Sequence, residues 1–138
     1  MQPFWHETSS GRIKVADLIE KLDSDLLERV CLVLEEIEDE GYEILRGADI
    51  LKPILYIPKA KAINLHEVKL RYRRIQIRIF CSVKEPQLTY LVFWNVNKQG
   101  HDWEHPSDLS YKIFEAIQYG NDKKVSKSIK EFDFYPHG

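Results

Sequence analysis

The sequence predicts an α+β domain in which an N-terminal helical hairpin packs on a three- to four-stranded, mainly antiparallel sheet, followed by a C-terminal helix. Three observations predict it. Apolar residues keep a helical spacing from Val15 to Ile37, switch to strict alternation after residue 64, and return to helical spacing from Leu109 to Ile117.

Val15, Leu18, Ile19 and Leu22 form one stripe, which Asp23-Ser24-Asp25 interrupts. Leu26, Leu27, Val30, Val33, Leu34 and Ile37 form a second, with Asp25 and Glu28 spaced as a capping box and Gly41 as its stop. From Gly41 to Ala62 the pattern loosens, and Pro53 and Pro58 limit any strand there to an edge piece around Ile54 to Ile57. In Leu65 to Tyr72 one face carries His66, Val68, Leu70 and Tyr72, the other Leu65, Glu67, Lys69 and Arg71. Ile75 to Val83 repeats the alternation, with Ile75, Ile77, Ile79, Cys81 and Val83 opposite Gln76, Arg78, Phe80 and Ser82. Leu88 to Val96 is apolar on both faces, as in a central strand covered on both sides. Pro106-Ser107 opens the last helix, which runs through Leu109, Ile113, Phe114 and Ile117 to Gly120. One domain is expected over residues 1–120, with 121–138 as a lysine-rich, then aromatic tail.

With 138 residues, 43% hydrophobic and 30% charged at net −2, the composition is that of a globular chain with a real core. The longest apolar run falls far short of the roughly 20 residues of a membrane-spanning helix. The start, Met1 to Glu7, lacks the basic and apolar segments of a secretory signal, so a cytoplasmic location is expected. Cys31 and Cys81 have no redox or zinc spacing and read as buried thiols. His101, Asp102 and His105 follow the central strand, but their spacing supplies no third ligand, so neither metal nor cofactor is expected.

The charges are unevenly placed. Lys59, Lys61, Lys69, Arg71, Arg73, Arg74 and Arg78 face one acid, Glu67, while Glu35, Glu36, Glu38, Asp39 and Glu40 crowd another stretch. A two-residue hairpin at Arg73-Arg74 would set Arg71 opposite Gln76, Leu70 opposite Ile77, Lys69 opposite Arg78 and Val68 opposite Ile79. Both apolar faces then agree. That register opposes two like charges and turns Arg78 toward solvent, which suits a surface that receives an anion; a solvated strand face, partly neutralised by Glu67, is the simpler alternative. Guanidinium forks match phosphate, so a nucleic-acid backbone fits the pattern. Tyr72, Tyr90, Trp94 and Trp103 are aromatics in reach, either as base-stacking residues or as core.

The order of elements and several phrases resemble the RelE/HigB-type toxins of toxin–antitoxin systems, in the branch related to phage-derived host-inhibition proteins. The resemblance spans roughly Phe4 to Gly120. Its carriers are Thr8-Ser9-Ser10-Gly11-Arg12 before the first helix, then Leu65-His66-Glu67-Val68-Lys69-Leu70-Arg71 and Ile77-Arg78-Ile79 in the strands. Val96-Asn97-Lys98 and Pro106 follow at the family's later motif positions. It implies a RelE-like fold and an endoribonuclease that cuts translated mRNA at the ribosome through the RNA's own 2′-hydroxyl. Arg78 takes the place of the phosphate-stabilising arginine, Lys98 of the rim lysine, Lys69 and Arg71 of substrate clamps. Glu67 matches a family glutamate that either accepts a proton or orients Arg71 and Arg78. The catalytic set is thus Arg78, Lys98, Lys69 and Glu67, and the RNA-binding set Arg71, Arg73, Arg74, Gln76, Lys98, Gln99 and His101. The chain departs from the family where Arg73-Arg74 replaces a glycine pair and Asn97 a lysine.

The partners implied are mRNA on the ribosome and a small cognate antitoxin protein, with a homodimer or a toxin–antitoxin heterotetramer as assembly. The alternative from a different class is a non-catalytic binding module, a degenerate toxin or a gyrase-inhibitor-like regulator that uses the same basic face.

Overall fold

The computed structural model describes residues 1–97, 106–122 and 126–128. Six strands and five helices follow in the order β1 (Gln2–His6), α1 (Lys14–Glu20), α2 (Ser24–Asp39), α3 (Tyr42–Gly47), β2 (Lys52–Pro53), α4 (Pro58–Ala62), β3 (Leu65–Tyr72), β4 (Ile75–Lys84), β5 (Gln87–Asn97), α5 (Pro106–Asn121) and β6 (Ser126–Ser128). The strands form one mixed sheet, ordered β2-β3-β4-β5-β1-β6.

The class is α+β, but the predicted N-terminal helical hairpin on a three- to four-stranded antiparallel sheet is corrected on two counts. First, Gln2–His6 is a strand that pairs parallel with β5, Phe4 beside Thr89 and Trp5 beside Tyr90. A five-residue strand buried on both sides shows little alternation, so the period that reveals β3 and β4 is missing from β1. Second, the helices divide between the two faces. Val15 and Ile19 of α1, Leu26, Val30, Leu34 and Ile37 of α2 and Leu45 of α3 bury against Val68, Ile77, Ile79, Cys81 and Tyr90. Ala60 of α4 and Ile113, Ala116 and Ile117 of α5 bury against Leu65, Phe80, Leu91 and Val92 on the opposite face. α1 lies against β5 and β1 rather than serving only as one arm of a hairpin.

Local chemistry sets the helix ends. The side chain of Asp23, not the expected capping box, accepts from the Leu26 amide at 3.2 Å and starts α2. Gly41 does not follow α2 as its αL stop; it is the extended residue that opens α3. The α-ammonium of Met1 donates to the carbonyls of Ile37 (3.0 Å), Glu38 (3.2 Å) and Glu40 (2.8 Å), a cation where the helix dipole is negative.

The β3–β4 register is the one that the alternation predicts: Val68 pairs with Ile79, Lys69 with Arg78, Leu70 with Ile77 and Arg71 with Gln76. Between β4 and β5 a bulge leaves Leu91 extra, since Phe80 pairs with Val92 and Cys81 with Tyr90. Leu91 and Val92 both join the core beneath α5, and this accounts for an apolar run on both faces of β5. Gly120 allows close approach there; a Cβ on it would stand 2.5 Å from Ile63 Cδ1 and 3.3 Å from Leu91 Cδ1.

Candidate nucleic-acid interface

α4 and α5 cover only part of their sheet face. Leu65, Phe80 and Val92 lie beneath them, whereas farther toward the β3–β4 turn the same face carries Glu67, Lys69 and Arg71 from β3 and Gln76 and Arg78 from β4. Trp94 of β5 pairs beside Arg78. The alternation of β3 and β4 dictates this grouping, because every second residue must share a face.

Arg78 is not on the solvent side, as expected, but buried, with its side chain 10% exposed. Its Nη1 donates to Glu67 Oε2 at 2.5 Å, and Glu67 is itself only 14% exposed. Gln76, also buried, turns Oε1 to the guanidinium and accepts from Nε at 3.1 Å and Nη2 at 3.2 Å. A charge taken out of water needs this degree of pairing, and the three side chains form a mostly buried, hydrogen-bonded group beside the basic residues. Glu67 is therefore an ion-pair partner of Arg78.

Lys69 and Arg71 are exposed beside that unit, and Arg73 and Arg74 are exposed at the turn. Arg73 has φ 56°, a left-handed conformation unusual outside Gly, Asn and Asp. Tyr72, on the other face of β3, is half-buried and carries two guanidiniums: Arg29 Cζ stands 4.3 Å and Arg73 Cζ 5.1 Å from its ring centroid. Arg29 comes from α2, and sequence reasoning missed it. It sits among acids in a helix whose pattern speaks only of its buried stripe, so packing alone brings it to Tyr72.

Glu67, Lys69, Arg71, Gln76 and Arg78 thus assemble on one face and Arg73 and Arg74 at its end. Lys98, Gln99 and His101, together with Asp102, Trp103 and His105, lie outside the described residues. Among the described residues no group of three His, Cys, Asp or Glu side chains could hold a metal ion, and no helix is long and apolar enough to cross a membrane.

Two other histidines lie away from this face. His66 bridges α3 and the turn before β3: Nδ1 lies 2.7 Å from the Asn64 carbonyl, which requires a proton on that nitrogen, so Nε2 accepts from the Tyr42 hydroxyl at 2.5 Å. Burial lowers its pKa, the Asn64 carbonyl opposes this and Arg46 adds to it. His6 stacks on Tyr119 of α5 with centroids 4.3 Å apart. Burial lowers its pKa too, opposed by Asp122 and aided by Lys14. Lys14 donates to the Tyr119 hydroxyl at 2.9 Å, and this bond raises the lysine's pKa. These groups pin elements to one another.

No protein-family model, curated protein or solved structure matches the chain. Its chemistry is therefore read from the geometry above.

Proposed function

We propose that this protein binds RNA through the exposed cationic end of its β3–β4 hairpin, as a relative of the RelE/HigB-type toxins that engages translated messages in the cytoplasm and is held in check by a small antitoxin protein. One observation carries the reading. Lys69, Arg71, Arg73 and Arg74 are all exposed at one end of the sheet, beside the mostly buried Glu67–Arg78–Gln76 unit and at the turn between its strands. Exposed lysine and arginine side chains gathered at one end of a sheet match the anions that a phosphate backbone presents. An antitoxin segment that covers this surface would be acidic, by charge complementarity.

The test is binding of a fluorescein-labelled oligouridylate, followed by anisotropy at several salt concentrations. Tight binding that weakens steeply with salt is expected, with a slope near −0.7 for each phosphate contacted on a single strand. Absent or salt-insensitive binding would overturn the reading.

Cleavage is the second reading, and the grouping of Glu67, Lys69 and Arg78 on the neighbouring strands β3 and β4 favours it. RNA supplies its own nucleophile: the 2′-oxygen loses its proton to a base and attacks phosphorus, the bond to the 5′-oxygen breaks, and that oxygen is protonated. In this chain the exposed Lys69 would meet the crowded phosphate, with the Arg78 guanidinium held beside it by Glu67 and Gln76; the rim lysine position is Lys98. Mapping of message 5′ ends after induction in a bacterial host separates the readings. New ends in translated messages with wild type, lost with Lys69→Gln, indicate an endoribonuclease; intact messages beside tight RNA binding indicate a binding module.

A further inference from the structure

Tyr72 and Arg29 lie on the face of β3 opposite Lys69 and Arg71, at the same end of the hairpin. Asp25 precedes Arg29 by one turn of α2, yet the guanidinium stands over the Tyr72 ring at 4.3 Å. Arg73 approaches the same ring at 5.1 Å from the turn. Two exposed like charges are thereby held within about one Debye length of each other, a range over which salt screens them only in part. The turn contributes to this at a cost. Arg73 occupies φ 56°, where glycine is the easy residue, and so keeps a long cationic side chain at a conformation that most side chains disfavour. Ring, turn and helix all direct positive charge to one point.

We infer that Arg29 is a further RNA-contacting residue, held in place by Tyr72, and that the phosphate track passes from Lys69 and Arg71 around the tip at Arg73-Arg74 onto the N-terminal half of α2. The inference rests on the reading of the hairpin as an RNA interface and adds to it a second element, a direction for the strand and a positioning residue. Tyr72 does not contact the backbone in this arrangement; its ring holds the guanidinium at a fixed height, so less side-chain freedom is lost when phosphate binds.

The experiment compares wild type, Arg29→Gln, Tyr72→Leu, Tyr72→Phe and the hairpin variant Lys69→Gln/Arg71→Gln, all as full-length protein. Each is titrated against fluorescein-labelled oligouridylate over roughly 50 to 200 mM salt. Thermal melts check folding alongside. Arg29→Gln should weaken binding several-fold and reduce the salt slope by about 0.7, the signature of one lost phosphate contact. Tyr72→Leu should weaken binding as well, and Tyr72→Phe should restore it, because the ring and not the hydroxyl carries the cation. Arg29 is exposed, so its variant decides the matter even if Tyr72→Leu fails to fold. Wild-type affinity and slope for Arg29→Gln, beside a weakened hairpin variant, overturn the inference and leave the hairpin reading standing. Loss of binding in no variant, or no binding by wild type, overturns both.

Discussion

Glu67 Oε2 and Arg78 Nη1 meet at 2.5 Å between neighbouring strands, with both side chains mostly withdrawn from water. Gln76 closes the other edge of the guanidinium. The arrangement divides the sheet face into an apolar half beneath α5 and a cationic half toward the turn, with the ion pair at the boundary.

That pair has a stability signature. Arg78→Ala should cost about 3–5 kcal/mol, since it strands a mostly buried carboxylate, while Glu67→Leu/Arg78→Met should recover most of the loss. Urea unfolding midpoints of the two variants check this. Equal losses in both would mean that attraction between the charges, rather than the burial of an unpaired one, dominates.

The exposed cations should behave in the opposite way. Lys69→Gln/Arg71→Gln/Arg74→Gln is expected to change stability by less than about 0.5 kcal/mol, as surface substitutions usually do. RNA affinity should fall sharply and the salt slope should shrink by about 0.7 per lost contact. Retained affinity with an unchanged slope would place the RNA elsewhere.

His66 and His6 predict an acid-sensitive fold. Burial lowers both pKa values below the ordinary 6.5, so above that pH the imidazoles are neutral in both states and their full stabilisation is present. As pH falls below 6.5 the unfolded chain takes up protons first, and stability is lost until the depressed folded values are passed. Unfolding free energies measured from neutral pH to just above the carboxylate range should decrease steadily; a flat profile would mean that both rings are solvated. Tyr42→Phe removes the donor to His66 Nε2 and should cost about 1–3 kcal/mol near neutral pH.

Both cysteines should be inert in the native protein. Burial, with Glu35 adding to it, pushes the Cys31 thiol up to about 11, and complete burial raises Cys81 further. The thiolate is the reactive species, so a disulfide reagent near neutral pH should titrate neither thiol until urea is added and both afterwards. Fast reaction of one thiol without denaturant would show local opening at α2 or β4.

The strongly periodic segments were legible without a structure. Alternation from Leu65 to Val83 set which side chains share a face, and with a turn at Arg73-Arg74 it set the register that places Lys69 opposite Arg78. β1 was not legible: its five residues lack a period, and its partner β5 lies some eighty positions away in sequence. Gly41 misled for a related reason, because a glycine beyond a helix serves as a stop or as the start of the next helix, and only the following turn decides.

By itself the sequence determined the local chemistry: helices from apolar spacing, a half-buried hairpin from alternation, and a concentration of positive charge at its turn. Tertiary structure decided what no local period encodes. It distributed the helices over both faces of the sheet, since each apolar stripe is indifferent to which uncovered face it buries against. It withdrew Arg78 into an ion pair, since Glu67 and Gln76 close on a guanidinium that strand alternation alone leaves facing outward. And it brought Arg29 from an acidic helix to the ring of Tyr72, a contact between residues 43 positions apart that depends on how two packed layers meet.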